Sequence, residues 1–531
     1  MPSLGTGGFL CVATNPNVPW RRIPGMEHET KPVSALVGVA SVVAAVAVGH
    51  LVAGFIHPTA SPVLAVGNSV RDLTPPPVTE WAIANLGDAK KVLVFVGLGV
   101  ALLVFGAVAG LLSRRRPWPG MALAAVLGLA GIASVLDQPS VPAAGVLAPL
   151  SSLVTGVAVF FWLHTTARRT ARTESSRRRF LATSAGVVVG AGVFGAAGQL
   201  LAGRIDASAS RAAVGDLTPR VPAPPIPPGA DFAADGTPRF LTSNRDFYRV
   251  DTALTSVPQV RAEDWLLRVH GMVERTRTFT FADIRDRPLV ARTITMTCVS
   301  NEVGGPYVST ATFVGVPLRD LLAEAGVRPG ADQLFSSSVD GWTAGTPVDA
   351  VMDPNRGALL AVGMNGEPLP LEHGFPARMV VPGLYGFVSA TKWVVDMELT
   401  TFDAKQSYWR ERDWGVRAPI KTQSRIDAPR GFATVPAGTV TIAGVAWAQT
   451  VGIAKVEVRV DGGAWRTAEL ATEVNSQTWR MWRIRVDLGP GPHKAEVRAT
   501  DRRGMTQPAD RVTPIPDGAT GWHATDFTVE G

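Results

Sequence analysis

At 531 residues the chain exceeds one ordinary domain of ~100–200 residues, so several domains are expected. Two cysteines exclude a disulfide scaffold. The formal charge of +7 comes largely from arginines among apolar runs in the first 203 residues, which points to membrane topology and not to nucleic-acid binding.

Residues 1–30 form a Gly- and Pro-rich tail that carries Cys11. Residues 31–203 then hold five apolar runs: Val33–Ile56, Val92–Leu112, Met121–Leu136, Ala143–Leu163 and Phe180–Ala202. A membrane span needs about 20 apolar residues, so an all-α bundle of five crossings is expected, with the third run the shortest. Basic residues alternate between the loops. Arg21, Arg22 and Lys31 precede the first run, Arg114 to Arg116 follow the second, and Arg168, Arg169, Arg172 and Arg177 to Arg179 follow the fourth. The intervening loops offset Arg71, Lys90 and Lys91 with Asp72, Glu80 and Asp88, or carry no base. The positive-inside rule then expects a multi-pass cell-membrane protein with a cytoplasmic N-terminus and everything after Gly203 outside.

The fifth run opens Ser176-Arg177-Arg178-Arg179-Phe180-Leu181. This hexamer resembles a twin-arginine export signal, a route that carries folded proteins, often with a cofactor already inserted. An ordinary basic membrane flank is the plainer alternative. His50, His57 and His164 sit in or beside the spans. Two facing imidazoles can hold a b-type haem, but His50 and His164 are expected toward opposite sides, so hydrogen bonding at helix ends is the preferred reading.

Residues 204–239 contain "PRVPAPPIPPG", expected to be a stiff, extended linker. From 240 to 405, short β-type runs such as "ARTITMTCV" and "ARMVVPG" alternate with helical pieces such as "VPLRDLLAEAGV". That pattern predicts an α+β domain with a mixed sheet. From 406 to 531 only short strands separated by turns remain, which predicts an immunoglobulin-like β-sandwich without a disulfide.

Cys298 ends a β-branched run and precedes the Gly-rich "SNEVGG". Three roles are open to it: a small core hydrophobe, a nucleophile needing a nearby base, or a thiolate metal ligand. Downstream, "NGEPLPLEHGFPARMVVPGLYGFVSATKW" brings His373, Arg378 and Lys392 into Gly- and Pro-rich loops. Arginine pairs with phosphate through two hydrogen bonds and lysine adds a point charge. A single thiolate beside an anion-binding set suits a metal-bearing cofactor that carries its own phosphate.

Residues 244–402 resemble the molybdopterin domain of the sulfite oxidase family. The blocks "NRDFYRVDTAL", "TMTCVSNEVGG", "SSVDGWTAG" and "MNGEPLPLEHGFPARMVVPGLYGFVSATKW" carry that resemblance in order. The β tail is similar to the family's dimerisation domain, and the five spans lie outside the resemblance. It implies one molybdenum-molybdopterin per chain with Cys298 as the metal ligand, and a homodimer formed through the β domain. Asn244, Tyr248, Arg249, Ser338, Asp340, His373, Arg378, Thr391 and Lys392 would contact the cofactor. Arg249 would alternatively bind an anionic substrate as a catalytic group. Packing alone would account for Tyr248 and Ser338, and turn capping for Asp340.

The implied activity is oxygen-atom transfer on a small sulfur- or nitrogen-containing substrate, with the quinone pool or a cytochrome as redox partner. Family members read C-x-G-N-R at the cysteine, whereas this chain reads Cys298-Val299-Ser300-Asn301-Glu302. An acid in place of a base weakens the case for sulfite. A methionine-sulfoxide or S-/N-oxide reductase of the same superfamily is the alternative, although its bacterial periplasmic member has Asn where this chain has His373. A non-catalytic membrane-tethered binding protein and a cysteine hydrolase are weaker alternatives. No C-x-x-C-H haem attachment motif occurs.

Overall fold

The structure, a computed structural model, describes residues 30–75, 78, 89–137, 141, 143–170, 174–202, 207–251 and 257–531, and only the backbone at 71, 72, 89–92, 169, 170, 174–177 and 202. Cys11, Arg21, Arg22, Glu80, Asp88, Arg172 and residues 252–254 lie outside the described residues, as do the side chains of Arg71, Asp72, Lys90, Lys91, Arg169, Ser176 and Arg177.

The first part is helical: α1 (Lys31–Ile56), α2 (Pro62–Leu73), α3 (Ala89–Leu112), α4 (Trp118–Leu136), α5 (Leu147–Thr170) and α6 (Glu174–Ala202). All of these except α2 contain a stretch long and apolar enough to cross a membrane. α2 was not foreseen, because its 12 residues mix apolar positions with Asn68, Arg71 and Asp72. α1 packs against α3, α5 and α6. Its buried face is built from Ser, Gly, Ala and Val, among them Ser34, Gly38, Ser41 and Ala44, which lets backbones approach closely. The hydroxyl of Ser41 donates to the carbonyl of Val37 at 2.7 Å and that of Ser152 donates to Ala45 at 2.8 Å. Arg168 donates to the carbonyl of Arg115 at 3.3 Å, so two of the basic loops share one end of the bundle.

The histidines do not face one another. Gly49 lies against Ala148 and Ser152 of α5, next to His50. His164 stands about three turns farther along the same helix, roughly 18 Å by helix rise. His50 shares a hydrogen bond of 3.1 Å with Ser61, and His57 one of 2.6 Å with Thr59. A haem ligated by His50 and His164 does not fit this arrangement.

Beyond the bundle, α7 (Ala207–Val214) docks on the α+β domain, where Ser210 donates to Glu263 and Arg211 to Glu367 and the carbonyls of Pro368 and Leu369. The proline-rich stretch is a packed strap and not a free spacer. Arg220 N–H donates to Leu289 at 2.8 Å, Ala291 N–H donates to Val221 at 2.8 Å, and Thr472 N–H donates to Gly229 at 2.9 Å. Proline lacks an N–H, but the carbonyls and the remaining amides of the strap still pair with their neighbours.

The α+β domain contains β1 (Leu266–Gly271), β2 (Arg277–Thr280), β3 (Val290–Thr297), β4 (Val308–Pro317), β5 (Gln333–Ser338), β6 (Thr343–Pro347), β7 (Leu359–Met364), β8 (Glu367–Pro368), β9 (Arg378–Val380) and β10 (Val394–Thr400). One sheet runs β2-β1-β10-β5-β6, with β1 and β10 parallel and the other pairs antiparallel, so it is mixed as expected. The other runs β3-β4-β7-β8, with β9 added to β7. β3 is β-branched and mostly buried, and its threonines are satisfied across the ladder: Thr293 pairs with the hydroxyl of Thr312 and Thr295 with that of Thr310.

The last part has β11 (Gln423–Ala428), β12 (Thr434–Val435), β13 (Gly438–Trp447), β14 (Ile453–Val460), β15 (Arg466–Thr467), β16 (Glu469–Leu470), β17 (Arg480–Leu488), β18 (Gly491–Asp501) and β19 (His523–Val529). Two sheets, β11-β13-β17-β16 and β12-β19-β18-β14-β15, enclose a core of Ile442, Val456, Trp482, Val497 and Phe527, which is the expected sandwich. The sandwich also closes the outer edge of β3. Thr295 N–H donates to Gln477 at 3.1 Å, Trp479 N–H donates to the Thr295 hydroxyl at 2.7 Å, and the Asn475 amide donates to Thr293 at 3.1 Å. Trp447, Trp479 and Met481 join the core of the α+β domain. The strand that delivers Cys298 is thus held on both sides.

Candidate active site

Cys298 is the first residue past β3 and is buried. Its N–H donates to Tyr307 at 3.0 Å. The intervening turn is tied by Asn301, whose N–H donates to Cys298 and whose side-chain oxygen accepts from Tyr307 N–H at 2.7 Å. Tyr248 stacks on Phe247 with ring centroids 5.4 Å apart and lies 6.3 Å from the ring of Tyr307. A Cβ on Gly386 would stand 3.8 Å from the Tyr248 hydroxyl and 4.0 Å from the carbonyl of Thr297, so the phenol and the backbone beside Cys298 both border Gly386. Burial, and then the charge of the Cys298 thiolate, push the Tyr248 phenol above its ordinary range, while Arg378 opposes them. Thiol and guanidinium therefore both lie within electrostatic reach of the phenol.

Arg378 opens β9 and is 4% exposed. Its guanidinium donates to the carbonyl of His373 at 3.2 Å, and at 3.5 Å to those of Met379 and Ala390. Among the described residues no carboxylate pairs with it, and burial lowers it to about 10. Lys392 donates to the Asp251 carboxylate at 3.3 Å and to the carbonyl of Glu372 at 3.2 Å. Burial lowers Lys392 to about 8; Asp251 opposes that shift, and Arg378 and Arg249 add to it. Gly374 lets the two cations approach. Its φ is 109°, and a Cβ there would stand 3.0 Å from that of Lys392 and 3.1 Å from that of Arg378.

Other expected residues are placed differently. His373 is buried, and burial lowers it to about 4. It is therefore a neutral imidazole whose Nε2 donates to the carbonyl of Asn244 at 2.9 Å, so it adds no positive charge to the anion set. The Asn244 side chain donates to Glu367 and accepts from Asn365 at 2.9 Å, so it fixes the loop. Arg249 is exposed and turns to Asp251 at 2.6 Å. Asp340 accepts from Trp342 N–H at 3.3 Å, the turn-capping alternative. The Thr391 hydroxyl shares a hydrogen bond of 2.7 Å with that of Ser336. Asp251 escaped the sequence reading. Its only signal was an acid two residues after Arg249 in a block that holds two acids and two bases.

The chemistry of the remaining donors fits a phosphate-bearing metal cofactor. Among the described residues, the Thr297 hydroxyl, the Asn301 amide nitrogen and the Ser338 hydroxyl are buried without a hydrogen-bond partner. Buried polar groups are normally paired, so these three are suited to a polar group that enters the site. Among the described residues no three His, Cys, Asp or Glu side chains cluster as metal ligands.

Residues 254–409 match the oxidoreductase molybdopterin binding domain family and residues 417–526 the Mo-co oxidoreductase dimerisation domain family. The chain is 30% identical to sulfite oxidase of Gallus gallus over 348 residues, 56% of this chain and 74% of that protein. It is 30% identical to mitochondrial sulfite oxidase of Homo sapiens over 52% of this chain and 59% of that protein. It is 28% identical to inducible nitrate reductase [NADH] 2 of Glycine max over 48% of this chain and 35% of that protein.

Proposed function

The chain belongs to the sulfite oxidase family of molybdenum-cofactor oxidoreductases, and from that premise we propose a membrane-anchored enzyme that transfers an oxygen atom to a small sulfur-containing substrate. One observation carries the assignment of the site: the buried thiol just past β3 acts electrostatically on the half-buried phenol of Tyr248, beside a buried guanidinium that no carboxylate neutralises among the described residues. Cys298 would hold the metal. Arg378 and Lys392 would take the anionic end of the cofactor, with Gly374 keeping them adjacent. Thr297, Asn301 and Ser338 would donate to its polar edge. Tyr248, held protonated, would line the pocket above the thiolate. When bound, the cofactor supplies the two-electron change. The protein fixes the thiolate, excludes water and shapes the pocket.

The five apolar helices support an anchor in the membrane. The shared end of the basic loops supports a cytoplasmic face there, with the α+β domain and sandwich on the other side. The dimerisation-type sandwich supports a homodimer. The electrons would pass to a quinone or a cytochrome.

Glu302 favours a second reading. It is exposed in the turn after Cys298, where the family's motif carries arginine, so the entrance gains an acid at a place where a sulfite anion would meet a base. An S-oxide or N-oxide reductase is consistent with that change. Metal analysis of protein from a cofactor-competent host, followed by stopped-flow mixing with sulfite, tests both. About one molybdenum per chain that sulfite reduces supports the oxidase. A loaded enzyme that sulfite leaves oxidised supports the reductase. Absence of molybdenum overturns the site assignment.

A further inference from the structure

A buried carboxylate stands among the site's cations, and no step of the assignment above uses it. Asp251 has a side chain only 3% exposed, and its Oδ2 accepts from Lys392 Nζ at 3.3 Å and from Arg249 Nε at 2.6 Å. The two bases come from distant parts of the chain. Lys392 precedes β10, and Arg249 sits in the loop that also supplies Tyr248. One oxygen atom thereby ties the first loop of the pocket to its far wall.

Resting on the cofactor reading above, we propose that Asp251 is a positioning residue that keeps Lys392 protonated and aimed for the anionic end of the cofactor.

Charge and burial support this. The Lys392 side chain is 10% exposed and stands with its ammonium 4.8 Å from the ring centroid of Trp393. Desolvation disfavours an ammonium in such a place, and Arg378 and Arg249 repel it. Asp251 is the group that offsets them, and His373 beside it is neutral. Without the carboxylate, Lys392 would lose its proton at lower pH, and the pocket would lose a positive charge at the pH where it has to hold an anion. A hydrogen bond to the carbonyl of Glu372 at 3.2 Å fixes the direction of the ammonium but supplies no full charge. The carboxylate does not cancel the site's positive charge, because it is shared by two bases while Arg378 stays unpaired among the described residues.

The experiment uses the full chain, made in a cofactor-competent host, as wild type, Asp251→Asn, Asp251→Glu, Lys392→Gln and the Asp251→Asn/Lys392→Gln pair. Each is dialysed across about pH 6 to about pH 9, and retained pterin is measured after oxidation to its fluorescent product, with molybdenum measured alongside. Wild type should lose pterin as Lys392 loses its proton. Asp251→Asn should shift that profile about one unit toward acid, a roughly tenfold lower retention on the alkaline limb. Asp251→Glu should restore most of it. Lys392→Gln should flatten the profile, and adding Asp251→Asn to it should change nothing further.

A wild-type profile in Asp251→Asn, or additive losses in the pair, overturns the proposal. If Asp251→Asn does not fold, the Lys392→Gln profile decides, because pH dependence that persists there places the switch elsewhere. Wild type without any pterin defeats the cofactor reading itself, which is a different result from a loaded protein indifferent to Asp251.

Discussion

Arg425 of the sandwich donates from Nη1 to the carbonyl of Gly305 at 2.8 Å, and its Nε donates to Asp427 at 2.8 Å. Gly305 closes the turn that follows Cys298. The neighbouring Gly304, with φ 81°, lies against the imidazole of His523 from β19. The second domain therefore clamps the cysteine turn directly, in addition to pairing with β3.

Replacing Arg425 should destabilise both domains. The Arg425 and Asp427 side chains are 11% and 15% exposed, and burial already raises the Asp427 carboxyl against the pull of the arginine. Removing the partner of a buried ion pair costs about 3–5 kcal/mol, because an uncompensated charge is left behind. Arg425→Ala should lose about 3 kcal/mol in denaturant unfolding, and Arg425→Ala/Asp427→Asn should recover part of it. A loss below about 0.5 kcal/mol in the single variant would show that the clamp is ornamental.

Acid should destabilise the folded protein through two histidines. Burial lowers both His373 and His523 to about 4, from an ordinary 6.5. In that window the unfolded chain binds protons that the folded chain refuses, so stability is complete above about 6.5 and is lost as the pH falls toward 4. His493 works in the opposite sense, since hydrogen bonds to Gly489 and Asp461 raise it. The melting temperature should fall between those limits, and His523→Gln should make the fall shallower. A melting temperature that stays flat from pH 7 to about pH 4 would contradict both burials.

Cys298→Ser should fold and fail. The thiol is buried and a hydroxyl is no larger, so the change should cost about 1 kcal/mol or less in stability. Arg378 and Lys392 would still hold the pterin, so pterin content should stay near wild type while turnover drops by a factor of about 100 or more. Loss of the pterin together with the turnover would instead make Cys298 the main anchor of the cofactor.

The sequence made visible what depends on local pattern. Hydropathy over some twenty residues located the five apolar helices, and alternation located the sandwich strands. The grouping of Cys298, Arg378 and Lys392 as one site is an expectation from residue chemistry and from the resemblance. What stayed hidden depends on contacts between distant segments. The neutrality of His373 comes from burial and a carbonyl at Asn244, 129 residues away. The strap at 219–229 gave the pattern of a spacer because proline composition says nothing of the β3 edge that receives it. Gly374 and Asp251 matter through the spacing of side chains that only the folded chain brings together.

Ser34 and Gly38 on α1 face Gly106 and Gly110 on α3, a small-xxx-small pair on each helix. A Cβ at Gly110 would overlap the carbonyl of Ser34, and one at Gly38 would overlap the carbonyl of Gly106. Both obstacles are backbone, so neither can rotate away. A Cβ at Gly97 or Gly99 on the same α3 would meet nothing within 4 Å outside its own helix backbone among the described residues, so these positions serve as internal controls. Gly110→Leu should force α1 and α3 apart, at a cost in the range of about 1–3 kcal/mol for overpacking, with lower thermal stability in detergent. Gly97→Leu should leave stability within about 0.5 kcal/mol of wild type. Equal effects at Gly110 and Gly97 would mean that helix propensity, and not the α1–α3 contact, governs this face. A selective effect at Gly110 would establish that contact in the full chain.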